Sequence, residues 1–151
     1  MPMPWTFRHC GKEWNWFLED VAEILGTPSS NVAYTATEGT FSAFRRRLTA
    51  EAGLDFAQVL PAVPRALFVQ GWKPAAPVPW SDRATYTTEA KALRQTHNFA
   101  SDAVIEAVSF ALHRAVGPAA LDRALRRIGP QAVAFWRIEG HAPEALAQRI
   151  R

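Results

Sequence analysis

The residues able to do chemistry in this chain are few and scattered. Its four histidines and single cysteine are the groups that could act as bases, nucleophiles or metal ligands near neutral pH. His9 and Cys10 are adjacent, which is poor geometry for a thiolate and its base with no third group to orient them. His97 stands beside Asn98. His113 follows Glu106 by two helical turns, whereas helical di-iron sites place Glu and His three residues apart on paired helices. Neither paired cysteines nor an HExxH run supplies zinc ligands. The glycines are dispersed rather than gathered in a phosphate loop, and no GxSxG elbow occurs. An axial haem ligand would have to be His97 or His113, and nothing beside either marks a proximal position. Glu13, Glu19, Asp20 and Glu23 resemble a carboxylate cluster, but they fall mostly off an apolar stripe and read as a solvated helix face. The expectation is therefore no catalytic residue, no cofactor and no metal.

Basic residues offer a second kind of chemistry. The chain carries a net charge of +3 and an isoelectric point near 9.5, which permits an acidic partner without requiring one. Arg45, Arg46 and Arg47 are consecutive, so on a helix they point about 100° apart and at most two share a face. Arg123, Arg126 and Arg127 are better spaced, because residues three and four apart lie side by side. They are the candidate face for a nucleic-acid partner, although no aromatics for base stacking interleave with them.

These groups must be positioned by helices. With 151 residues, 48% apolar and 21% charged, the chain has the composition of one soluble domain, residues 1–151. One cysteine excludes an internal disulfide framework and suits a reducing cytosol. No apolar run approaches the roughly 20 residues needed to span a bilayer, and no export signal opens the chain. A cytoplasmic protein without membrane insertion is expected.

Residues 1–11, MPMPWTFRHCG, form a proline-punctuated arm. Its Trp5 and Phe7 bring apolar area that should dock on the domain, on a second copy or on a partner. Trp14, Phe17, Val21 and Ile24 recur at helical spacing over Lys12–Leu25, closed by Gly26, and Thr27 to Ser30 cap the next helix. Residues 41–72 organise the chain. One helix ends near Leu48, Thr49 caps the next, Leu54, Ala57 and Leu60 continue the stripe, and Pro61 breaks it. The helix that follows stops at Gly71, with Trp72 folding back over Leu67 and Phe68 as a structural cap. Residues 73–81 are a proline-rich linker. Further helices are predicted over 82–96 and 101–116, then after the Gly117-Pro118 and Gly129-Pro130 steps, and from Pro143 to Ile150.

The run LTAEAGLDFAQVLPAVPRALFVQGW resembles the signature of domain of unknown function 2267, a bacterial family, and FLEDVAEILG resembles that family's opening helix. Gly53 and Pro64 depart from its pattern. The resemblance implies an all-helical fold and carries no activity with it. Shifting the chain by about 68 positions brings Phe44 onto Leu112, Leu48 onto Val116, Leu60 onto Ile128 and Leu67 onto Phe135, as a tandem repeat would. The sequence thus predicts an all-α bundle of about seven to eight helices in two related halves, 12–72 and 82–151. Its expected role is a protein-interaction or regulatory module without catalysis, meeting an unknown protein partner or itself. A nucleic-acid binder using the basic helix face, and a small-ligand carrier or enzyme with an unrecognised pocket, are the alternatives.

Overall fold

Many helix starts and stops follow local side-chain chemistry. The computed structural model describes residues 3–93 and 101–149, and among them there are ten helices and no strand. After a one-turn α1 (Trp5–Arg8), α2 runs over Cys10–Leu25 and stops at Gly26, whose φ of 69° is the left-handed stop expected of glycine. Three helices open on a side-chain oxygen that accepts a backbone N–H: Ser29 for α3 (Ser30–Arg45), Thr49 for α4 (Ala50–Ala57) and Asp82 for α6 (Arg83–Ala92). The Leu60-Pro61 break separates α4 from α5 (Ala62–Val69). Following α7 (Val104–Val116), the helices α8 (Pro118–Ile128), α9 (Pro130–Phe135) and α10 (Pro143–Leu146) each begin with proline at the first helical position.

Packing is reciprocal: α2 lies along α7, α6 lies along α3, and α3 also meets α7. The α3–α6 crossing is close because Gly39 has no Cβ; one built there would sit 2.1 Å from the Ala90 carbonyl oxygen. An aromatic cluster fills the centre, with the Phe44 ring within 4.9–6.0 Å of Phe56, Trp80, Phe135 and Trp136. Of the eight apolar positions paired by the 68-residue shift, seven are buried and Ile128 is half-buried. The same shift carries the first residue of α4, 50, onto that of α8, 118, and the first of α5, 62, onto that of α9, 130.

Several expectations are corrected. The count exceeds seven to eight because the arm coils into α1 and the chain after α8 ends in two short pieces, α9 of six residues and α10 of four. The third helix ends at Arg45 rather than Leu48, and residues 46–48 tighten into a turn, with Leu48 N–H donating to the Arg45 carbonyl. On α4 the buried face is Gly53, Phe56 and Ala57, while Leu54 is 56% exposed. The buried side is the one on which Gly53 meets the Trp72 ring. Gly71 does have positive φ, at 68°, but the stop is a type II turn. Gln70 is extended, and Trp72 N–H donates to the Val69 carbonyl at 3.1 Å. The linker is fastened by Val78 N–H on the Arg46 carbonyl and by Trp80 against Phe44. His97, the end of the predicted 82–96 helix and Ile150 lie outside the described residues.

Candidate functional site

The most completely built cavity sits where α1, α2, the C-terminal end of α7 and the segment 147–149 converge. Its apolar wall is Trp5, Trp16, Phe17, Pro61 and Ala115, and its polar wall is Glu13, Asp20, Arg114, Gln148 and Arg149, around about 130 Å³. Helix α2 can supply Glu13, Trp16, Phe17 and Asp20 together because steps of three and four residues share one face. The chain after α10 returns along α7: Arg149 N–H donates to the Arg114 carbonyl at 3.0 Å, and Gln148 Nε2 donates to the Ala115 carbonyl at 3.3 Å.

Asp20 is the charged centre of this arrangement and is only 3% exposed. Its Oδ1 accepts from Arg114 Nη1 at 2.9 Å and also from Arg149 Nη2. Burial nevertheless pushes its carboxyl up to about 6, outweighing the opposite pull of Arg149 and Arg114, with Glu23 and Glu19 adding smaller upward contributions. Both guanidiniums lie near aromatic rings, Arg114 5.4 Å from the Phe110 centroid and Arg149 5.9 Å from that of Trp16. Each keeps a buried Nε–H that has no acceptor among the described residues. An unsatisfied buried donor costs roughly 1–3 kcal/mol, more beside a charge. Both arginines line the cavity, and about a quarter of each side chain is exposed.

This corrects the reading of the acids on α2. Glu19 and Glu23 are exposed and Glu13 half-buried, but Asp20 is inside. Its place one residue from Val21 was the only local signal, since its partners are 94 and 129 residues away.

The sequence-predicted residues are distributed as follows. Trp5 walls the cavity and packs on His9 at 4.5 Å between centroids, the rings tilted by 39°, yet remains 53% exposed. Phe7, at 47%, faces solvent beside it. Arg123, Arg126 and Arg127 are exposed on α8; Arg126 pairs with Asp122 at 2.6 Å and Arg127 with Asp55 at 2.9 Å. Of the triple arginine only Arg47 is buried, with Arg45 half-buried and Arg46 exposed. Arg45 donates to the Phe68 and Gln70 carbonyls, and Arg46 reaches Glu89. Arg47, buried, forms a two-pronged pair with Glu89 at 2.8 Å and lies 4.6 Å from the Tyr86 ring centroid. Trp72 packs on Phe68, at 5.9 Å, and over Gly53. His113 Nδ1 lies 2.8 Å from the Ser109 carbonyl, consistent with donation to it. His141, which the sequence reading did not single out, sits with Nε2 2.9 Å from Glu106. Among the described residues no three His, Cys, Asp or Glu side chains gather as a metal site, and no single helix is long and apolar enough to cross a membrane.

A family model described as an uncharacterized conserved protein (DUF2267) matches residues 14–133. No curated protein matches the chain.

Proposed function

The chain belongs to the DUF2267 family, whose model takes in Asp20 and Arg114 and leaves Trp5 and Arg149 outside, and on that premise we propose a ligand-binding regulatory module without catalysis. A small anion occupies the cavity between α2 and α7, and the flanking arm and C-terminal segment close over it. One observation carries the reading: two guanidinium side chains, Arg114 and Arg149, line one aromatic-walled cavity with about a quarter of each exposed. Trp5 forms part of that wall, so occupancy and the placement of the arm belong to one equilibrium. That is how an interaction role joins the ligand role: the arm also presents Met3 and Phe7, each about half exposed. The two-halved organisation is part of the same proposal, supported by the coinciding helix starts. A nucleic-acid role has less beneath it, because Asp122 and Asp55 already neutralise Arg126 and Arg127.

Thermal denaturation against small organic anions, amines and neutral analogues tests the reading. At about a hundred times its dissociation constant a ligand adds about 2.7 kcal/mol, which in a chain of this size raises Tm by about 5–10 °C. Anions should do this and amines should not, and a double Arg114→Gln, Arg149→Gln variant should lose the response. A folded protein indifferent to every anion would sink the proposal.

A further inference from the structure

We propose that the ligand is a small ω-amino acid, a zwitterion whose carboxylate meets Arg114 and Arg149 and whose ammonium meets Glu13. The inference rests on the anion-site reading above and adds the ligand's second charged group and the distance between the two. Glu13 carries it. This carboxylate is half-buried on the cavity wall, yet among the described residues it accepts no hydrogen bond and pairs with no cation. Trp5 and Trp16 line the cavity with it, and all three also line an adjoining cavity of about 220 Å³. A free carboxylate beside indole rings suits an ammonium, which is attracted by the opposite charge and by the ring faces together.

Charge balance favours a zwitterion over a bare anion. The cavity wall holds two guanidiniums, Arg114 and Arg149, and two carboxylates, Asp20 and Glu13. Both guanidiniums donate to Asp20, and about a quarter of each side chain is still exposed. An anion alone would add a negative charge to this balanced set, within reach of an unpaired Glu13. A zwitterion leaves the sum at zero and gives Glu13 a partner. Lys12 lines only the adjoining cavity, where its Nζ lies 5.1 Å from the Trp16 ring centroid and forms no ion pair with Glu13. Spacing then sets the class. Glu13 precedes Asp20 by seven residues on α2, roughly 10 Å along the axis at about 1.5 Å per residue, and the guanidiniums sit at the Asp20 end. The ligand's two charges therefore stand several bonds apart, as in an ω-amino acid, rather than on one carbon. The methylenes between them lie along Trp5, Trp16 and Phe17 in a cavity of about 130 Å³, close to the roughly 150 Å³ that accepts a benzene ring.

Calorimetric titration of the full chain at neutral pH with 4-aminobutyrate, butyrate, butylamine and glycine tests this. The aminobutyrate should bind about tenfold or more tighter than butyrate or butylamine, as one added close charge pair gives. It should also bind tighter than glycine, whose charges are too close together to reach both ends of the site. Glu13→Gln should bring 4-aminobutyrate down to the affinity of butyrate and leave butyrate unweakened. Butyrate binding as tightly as 4-aminobutyrate, or Glu13→Gln holding the aminobutyrate as tightly as the wild type, overturns the zwitterion while leaving the anion site standing. Glycine binding as tightly as 4-aminobutyrate overturns the spacing. Butylamine doing so overturns the anion site and this inference with it. If none of the four binds, the inference falls; binding of another small anion then keeps the site, and its failure removes the site too. Should Glu13→Gln not fold, the comparison of 4-aminobutyrate with butyrate on the wild-type chain decides alone.

Discussion

Replacing Gly53 by alanine should destabilise the protein, although alanine is the better helix former. Gly53 lies inside α4, is buried, and has no positive φ to excuse its choice of residue. A Cβ built there would meet Trp72 Cη2 at 2.2 Å and Cζ3 at 2.5 Å. Ordinary carbon contacts are about 3.5–4.0 Å, so the indole would have to retreat by more than an ångström. It is not free to do so, because its backbone closes the turn onto Val69 and its ring packs on Phe68. Overpacking of this kind costs about 1–3 kcal/mol, against a helix-propensity gain of about 1 kcal/mol. The net effect should be a loss of about 1 kcal/mol. With Trp72→Ala in place the obstacle is gone, and Gly53→Ala should then stabilise by about 1 kcal/mol. A double-mutant cycle by urea denaturation, read from midpoints at constant slope, should therefore show a reversal of sign and a coupling of about 2 kcal/mol. Stabilisation by Gly53→Ala with Trp72 present, or the same sign in both backgrounds, would refute the packing argument.

Three further perturbations have definite outcomes. Gly39→Ala should cost more than Gly53→Ala, about 3 kcal/mol in chemical denaturation, since its Cβ would meet the Ala90 backbone rather than a side chain; truncating side chains on α6 should not restore the loss. Gly71→Val should cost about 1–2 kcal/mol from backbone strain alone, because space beyond its Cα is open; Gly71→Asn should lose less in the same thermal melts. Asp20 is raised from 3.8 to about 6, so the native state holds its proton more tightly than the unfolded chain. Its contribution to stability is full below pH 3.8 and is lost as pH rises to 6. The difference in unfolding free energy between wild type and Asp20→Asn should change across that window by about 3 kcal/mol at most, and a pH-independent difference would remove the raised titration.

Much of the frame was legible because its signals are local. Gly26, Ser29, Thr49 and the two Gly-Pro steps each act on the backbone within a turn of themselves, and each ends or opens a helix where the sequence places it. Errors arise where a local pattern yields to packing. Leu54 continues the stripe in sequence, yet the buried side of α4 is the one that lets Gly53 approach Trp72. The arm reads as irregular in sequence because one turn of helix has too few residues to show a period; with no residue of α1 buried, it has no apolar stripe to reveal it.

The site was illegible for a different reason, which lies in how this chain uses arginine. The basic excess points to an external partner, but six of the described guanidiniums pair with carboxylates of the chain and three satisfy the open ends of short helices. Arg65 donates to the Ala57 and Leu60 carbonyls after α4, Arg45 to those of Phe68 and Gln70 after α5, and Arg83 to those of Phe135 and Arg137 after α9. Carbonyls at a helix C-terminus lack partners and carry partial negative charge, so a five-donor fork is suited to them. Each arginine lies far enough along the chain from its carbonyls, or across a proline break, that spacing gives no hint of the contact. Against that usage Arg114 and Arg149 stand apart. They converge on the buried carboxylate of Asp20 from α7 and from the C-terminal segment, and they alone among the described arginines retain a buried N–H with no acceptor. In a fold where other guanidiniums cap orphaned carbonyls, two that meet on one carboxylate beside an aromatic cavity are the feature on which the proposed anion site rests.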